Sequence, residues 1–196
     1  ARENDALMIH ISTDYVFSGD NPLPCKPDDP VAPLNVYGES KLAGEIAVRA
    51  ECQHHVIVRT SWVYSHEGRN FVRTMLRAAE EGRELRVVND QRGCPTSSAD
   101  LAAALLAVAE KARNAATTGT YHFCNAGVTT WYDLAREVFR IRGISPKLKP
   151  ISTEEFAAKA KRPRSSVLDC TSFTSAFGVT PRPWEIALKD TMEKIS

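Results

Sequence analysis

The chain has 196 residues, 43% of them hydrophobic and 25% charged, with 25 basic against 24 acidic side chains and a net charge of +1. That is the balance of a globular protein with enough length for one domain or two small interleaved ones, and it excludes bulk-charge binding to nucleic acid. The longest strictly apolar run, Leu101 to Ala109, has nine residues, far short of the roughly 20 that span a bilayer; no membrane role is expected.

In chain order, residues 6–11 form a short apolar run that predicts a buried parallel strand ending at Ser12-Thr13-Asp14. Five of the eleven prolines fall between Pro22 and Pro33, which no regular element survives, so this is a stiff surface loop. A helical pattern from about Asn35 to Glu51 follows, then a second buried strand over 55–60 with β-branched residues at its centre. Asn70–Glu81 reads as a helix stopped by Gly82, and Leu85–Val88 as a short strand before a turn-rich stretch to Thr96. Ser97 or Ser98 is placed to cap an Ala/Leu-rich helix over 99–112. Residues 120–124 alternate as a strand, and Thr130 opens a helix with Asp133 three positions on, ended by Gly143. The tail predicts a short helix near 154–160, an extended 166–169 and a last helix with Pro183 in its first turn. Alternating strands and helices point to an α/β architecture.

Five cysteines, no two closer than 27 positions, fit neither a disulfide framework nor a CxxC metal site; free thiols in the cytoplasm are expected. His54 and His55 precede a strand on opposite sides and make no ligand pair, so no metal site is assigned. The first five residues lack the apolar core of a signal peptide.

The sharpest constellation is Tyr37-Gly-Glu-Ser-Lys41 on the first helix, with Ser12-Thr13 at a strand end upstream. An i,i+4 spacing puts Tyr37 and Lys41 on one helix face. An ammonium near a phenol lowers its pKa toward working pH, as a group protonating a carbonyl oxygen requires. A Thr13 hydroxyl at the C-terminal edge of a parallel strand is placed to hold the same oxygen. A solvated Tyr–Lys pair is the bland reading, so the motif gains weight only from its neighbours.

Those neighbours closely resemble the dTDP-4-dehydrorhamnose reductases of the extended short-chain dehydrogenase/reductase superfamily. The likeness runs through residues 10–17, 34–45 and 58–64. It continues through 70–76, 87–96 and 162–169 and closes with Phe177-Gly178 and Pro183-Trp184. It implies the C-terminal portion of an NAD(P)-binding Rossmann-type parallel sheet (residues 1–65 and 97–115), interleaved with a smaller α/β substrate-binding domain (66–96 and 116–196). It implies reduction of the 4-keto group of dTDP-4-dehydro-6-deoxy-L-mannose by NADPH or NADH. Tyr37 would be the proton donor, and Lys41 would bind the nicotinamide ribose and tune the phenol. Thr13 and Asp14 would contact the sugar, and Trp62 would lay its flat face on the pyranose ring. Gln91, Gly93, Pro95 and Thr96 would shape the pocket, and Arg162 or Arg164 of the basic cluster with Lys159 and Lys161 would pair with the diphosphate. Asn70 and Phe71 stand at a helix start, where backbone N–H groups can meet a diphosphate. Arg59 reads either as an ion-paired structural group or as facing the cofactor.

Cys25, Pro27 and Ser65 depart from the family pattern, which bears on fine specificity. None of the ten glycines forms the GxGxxG or GxxGxxG fingerprint that a dinucleotide pyrophosphate needs. The family carries it upstream, roughly 90–100 residues before this point at about 30 per βαβ unit. The chain is therefore expected to be the C-terminal two-thirds of such a reductase, inactive alone and with an exposed sheet edge; NADH versus NADPH is not legible. A homodimer is compatible with the likeness but not fixed by these residues. Two other readings compete. One is a non-catalytic regulatory subunit on the same fold, of which the regulatory β subunit of methionine adenosyltransferase is an example. The other is an extended short-chain enzyme such as a nucleotide-sugar epimerase or GDP-fucose synthase. Thr13, Tyr37 and Lys41 together favour an enzyme, and the Trp62 and 93–96 segments favour the rhamnose branch.

Overall fold

The segment His55-Val-Ile-Val-Arg-Thr60 has no polar face to turn to solvent, which selects a strand covered on both sides. In the computed structural model, which describes residues 1–4, 6–112 and 117–195, it is β2 (His55–Thr60), buried at every position. β1 (Met8–Thr13) and β7 (Gly119–His122) flank it in parallel, in the order β1-β2-β7. β1 starts two residues later than its apolar run because its partner does: Met8 pairs with His55 at the head of β2, and Ser12-Thr13 are drawn into the ladder opposite Arg59 and Thr60.

α1 (Val36–Glu51), α2 (Phe71–Glu80) and α4 (Trp131–Arg142) begin where short polar side chains replace the missing intrahelical acceptors. Asn35 accepts from the Gly38 N–H, Asn70 from Arg73 and Thr130 from Asp133. α3 (Ser98–Lys111) is different. Ser97 precedes it but makes no side-chain cap; its N–H is held instead by Asn125 Oδ1 at 2.8 Å. The expected serine cap is thus replaced by a long-range one. Pro183 stands just before α7 (Trp184–Met192) rather than inside its first turn.

Two apolar layers result. One joins Val56 and Val58 of β2 to Leu101 and Val108 of α3 and to Phe173 and Phe177 of α6 (Thr171–Phe177). The other joins α2, α4 and α7 through Val72, Leu76, Leu134, Val138 and Leu188, beside the parallel pair β4 (Leu85–Val88) and β9 (Leu148–Ile151), the latter followed by the one-turn α5 (Thr153–Phe156). From the resemblance, all of 116–196 is expected in the second lobe. β7 hydrogen-bonds along β2, in a register running from Val56 opposite Gly119 to Arg59 opposite His122, and α6 packs on the same sheet. The expected boundary between 115 and 116 lies outside the described residues. Two-residue ladders tie the loops: β3 (Val63–Tyr64) with β6 (Thr96–Ser97), and β5 (Arg92–Gly93) with β8 (Thr129–Thr130). The proline-rich loop is pinned at Cys25, whose N–H and C=O bond Val167 and Asp169.

A buried charge cluster orients α1 on the sheet. Glu45 is fully buried, and its carboxylate accepts from Ser12 Oγ (2.6 Å), Arg59 Nε and Nη2 (2.8 Å each) and Arg49 Nη2 (2.8 Å). Burial pushes the Glu45 carboxyl upward, but hydrogen bonds from Arg59 and Ser12 outweigh it and hold the group below its ordinary value. Arg59 is itself 2% exposed, donates to the Pro27 carbonyl and lies over the Phe17 ring; it is a structural ion-pair partner. Glu45→Gln would leave that guanidinium buried without its counter-charge, a loss of about 3–5 kcal/mol. Denaturant unfolding should show this loss, and Glu45→Leu with Arg59→Met should be less destabilised than the single substitution.

Candidate functional site

Gly38, in the first turn of α1, sits so close to the strand end that a Cβ there would meet the Tyr15 carbonyl oxygen at 2.3 Å. Only a hydrogen fits, and the helix start can close on the C-terminal edge of β1. Tyr37 and Lys41 thereby line one cavity of about 490 Å³ with Thr13, Ser61, Trp62 and Trp131. Tyr37 is 55% exposed, and its ring packs roughly perpendicular to that of Tyr15, centroids 5.9 Å apart. Lys41 Nζ donates to the Ile11 carbonyl at 2.5 Å, one of its three N–H donors.

Thr13 and Asp14, both expected at the sugar, stand differently. Thr13 Oγ1 donates to Asp14 Oδ1 (3.0 Å) and accepts from the Tyr15 N–H (3.2 Å). Asp14 is 2% exposed and lies in the floor. Burial drives its carboxyl up to about 7, against the pull of hydrogen bonds from Ser166 and Thr13. The protonation state decides what Thr13 can offer. An ionised Asp14 takes the single Thr13 hydrogen, whereas a protonated Asp14 supplies that bond itself and frees the hydroxyl to donate into the cavity.

Trp62, expected to lay a ring face on the sugar, stacks one of its two faces on Trp131, centroids 3.6 Å apart and planes 9° apart. On the indole also lies Gly93, where a Cβ would fall 2.5 Å from Cε2. Trp62 holds a left-handed backbone, φ 47°, uncommon for a bulky residue and costing of order 1–3 kcal/mol. The Thr96 N–H to Trp62 carbonyl bond (3.2 Å) and the stack maintain it. Gln91 is buried and holds the second indole, accepting from Trp131 Nε1 (3.2 Å) and donating to Thr153 Oγ1 (3.0 Å). The 91–96 segment therefore acts by clamping the two tryptophans.

Behind Trp131 a second cavity, about 420 Å³, is lined by Tyr15, Phe71, Met75, Arg86, Trp131 and Arg162. Phe71 tilts against Trp131 at 4.7 Å. Of the basic cluster the structure brings Arg162 here; Arg164 faces Glu154 at 3.9 Å, and Lys159 and Lys161 are exposed. Asn70 spends its amide on the Ser65 and Glu67 carbonyls. Tyr15, Arg86 and Trp131 carried no separate sequence signal: Trp131 is 69 positions from its stacking partner. Only the position of Trp131 after a capping threonine was readable.

A family model described as the RmlD substrate binding domain matches residues 1–196. The dTDP-4-dehydrorhamnose reductase of Escherichia coli is 43% identical over 204 residues, covering all of this chain and 68% of its own. The spore coat polysaccharide biosynthesis protein SpsK of Bacillus subtilis is 41% identical, covering 97% of this chain and 65% of its own. A crystal structure of dTDP-4-dehydrorhamnose reductase from Bacillus anthracis in complex with NADP superposes with a TM-score of 0.90 at 38% identity, covering 96% of this chain and 66% of that one. The chain thus spans about two thirds of the length of the relatives it matches.

Two measurements probe this geometry. Asp14 binds its proton more tightly folded than unfolded, so it costs stability as pH rises from its ordinary value of 3.8 to about 7 and levels off above. Asp14→Asn should gain on the parent across that window, at roughly 1.4 kcal/mol per unit, read from unfolding midpoints. Gly93→Ala should push the Trp62 indole off Trp131 and abolish the exciton couplet of the stacked pair in circular dichroism.

Proposed function

The chain belongs to the RmlD substrate binding domain family, and we propose that its protein reduces the 4-keto group of dTDP-4-dehydro-6-deoxy-L-mannose with NAD(P)H, giving dTDP-L-rhamnose. The observation that carries this reading is the shared cavity of Tyr37, Lys41 and Thr13 at the C-terminal ends of parallel strands, where open α/β sheets bind ligands. The relatives named as reductases support it.

In this reading the Tyr37 hydroxyl donates its proton to the keto oxygen as that oxygen takes on alkoxide charge. Thr13 orients the same oxygen, with its own hydrogen free whenever Asp14 carries one. NAD(P)H, when bound, supplies the hydride. The nicotinamide ribose end fits what is present: Lys41 uses only one N–H on Ile11, which leaves two donors for ribose hydroxyls beside the exposed phenol. Trp62 borders the sugar side, with one ring face stacked on Trp131.

The second cavity suits the nucleotide. Phe71 and Trp131 offer aromatic surface to the base, and Arg86 and Arg162 offer guanidinium groups to the diphosphate. Both cavities share Tyr15 and Trp131, so one elongated nucleotide sugar reaches across them. A cytoplasmic setting accords with five free thiols; among the described residues no helix is long and apolar enough to cross a membrane.

Tyr37→Phe in the full-length gene product should lower kcat by about 10²–10⁴-fold while KM for the nucleotide sugar changes little, followed by loss of NAD(P)H absorbance. Unchanged turnover would remove Tyr37 as proton donor and with it this reading.

A further inference from the structure

Sulfur collects at one place that the proposed reduction does not use. Cys124, two residues past β7, and Cys170, immediately before α6, are 46 positions apart in sequence, yet their Sγ atoms lie 3.5 Å apart. With Cys94 they line a cavity of about 580 Å³ that shares only the neighbourhood of residues 93–96 with the candidate active site. Cys94 and Cys124 are buried, whereas Cys170 is half-buried and is the thiol a dissolved reagent meets first.

Buried cysteines commonly serve as small apolar side chains, but that role gives no reason for two sulfurs to lie within one bond rearrangement of each other beside an open cavity. Nor is this a metal centre: among the described residues no group of three or more His, Cys, Asp or Glu is arranged to hold an ion.

We propose that Cys124 and Cys170 form an oxidant-sensitive pair that closes to a disulfide when a hydroperoxide enters this cavity. Cys170 Sγ attacks the peroxide oxygen and the O–O bond breaks. For hydrogen peroxide the products are a Cys170 sulfenic acid and one water. Cys124 Sγ then attacks the Cys170 sulfur and displaces hydroxide, which leaves as a second water with the Cys124 proton. Two thiols are oxidised by two electrons, and one peroxide is reduced to two waters. The sulfurs must close from 3.5 Å to about 2.0 Å.

The test is direct mapping of the unmodified sequence, treated with hydrogen peroxide under native conditions, alkylated and proteolysed without reductant. The expected product is a linked pair of peptides bearing Cys124 and Cys170, two hydrogens lighter than the separate peptides and released by dithiothreitol. The titratable thiol count should fall by two, and the Cys170→Ser variant should not form the link at the same dose. A disulfide made through Cys52 or Cys94 instead overturns the proposal. So does recovery of Cys170 as sulfinic acid with Cys124 still free. Because the mapping is made on the unmodified chain, it decides the question even if the variant folds poorly.

Discussion

A single carboxylate sets the geometry on which the candidate site rests. Glu45 reaches from α1 to Ser12 of β1 and to Arg59 of β2 and takes a further bond from Arg49 of its own helix. Removing an anion from water costs several kcal/mol, recovered only where donors meet it with good geometry. The bonds from Ser12 and Arg59 come from two different strands, so rotating α1 about its axis would break them together. Lys41 lies one turn before Glu45 and Tyr37 one turn before that, on the same face. The azimuth that satisfies the buried carboxylate is therefore the one that presents phenol and ammonium to the strand ends. Gly38 adds the second constraint by letting the helix start close on Tyr15.

The other half of the site is built from loops, which need clamps. Trp62 sits in a backbone conformation that an aromatic side chain does not choose, and the surroundings over-determine it: Trp131 on one side, Gly93 against the ring, Thr96 on its carbonyl. Gln91 fixes the second indole in turn. Residues that read as a pocket wall act as the frame of that wall.

What the sequence could tell follows from the range of each signal. β2 and β4 begin and end where their apolar, β-branched runs do, and α1, α2 and α4 start at their capping Asn or Thr. Those patterns are local. β3, β5, β6 and β8 are two residues long and exist only because a distant partner is there. β9 contains Pro150, which argues against a strand when read alone. α6, Thr-Ser-Phe-Thr-Ser-Ala-Phe, is poor in strong helix formers and is held by Phe173 and Phe177, four apart and fully buried. In the site, the Tyr37–Lys41 spacing was legible because it is helical. The burial of Asp14 under Thr13, the indole stack and the thiol pair were not, since each depends on chain segments meeting across the fold.

Trp131 is a party wall, with one chamber on either side and the same indole in both linings. Whatever moves it to suit an occupant of one chamber changes the shape of the other. Occupancy of the two is then thermodynamically linked, and the linkage is reciprocal. A molecule long enough to fill both chambers meets this coupling within itself, so the grip on its remote end helps set the alignment of its reacting end.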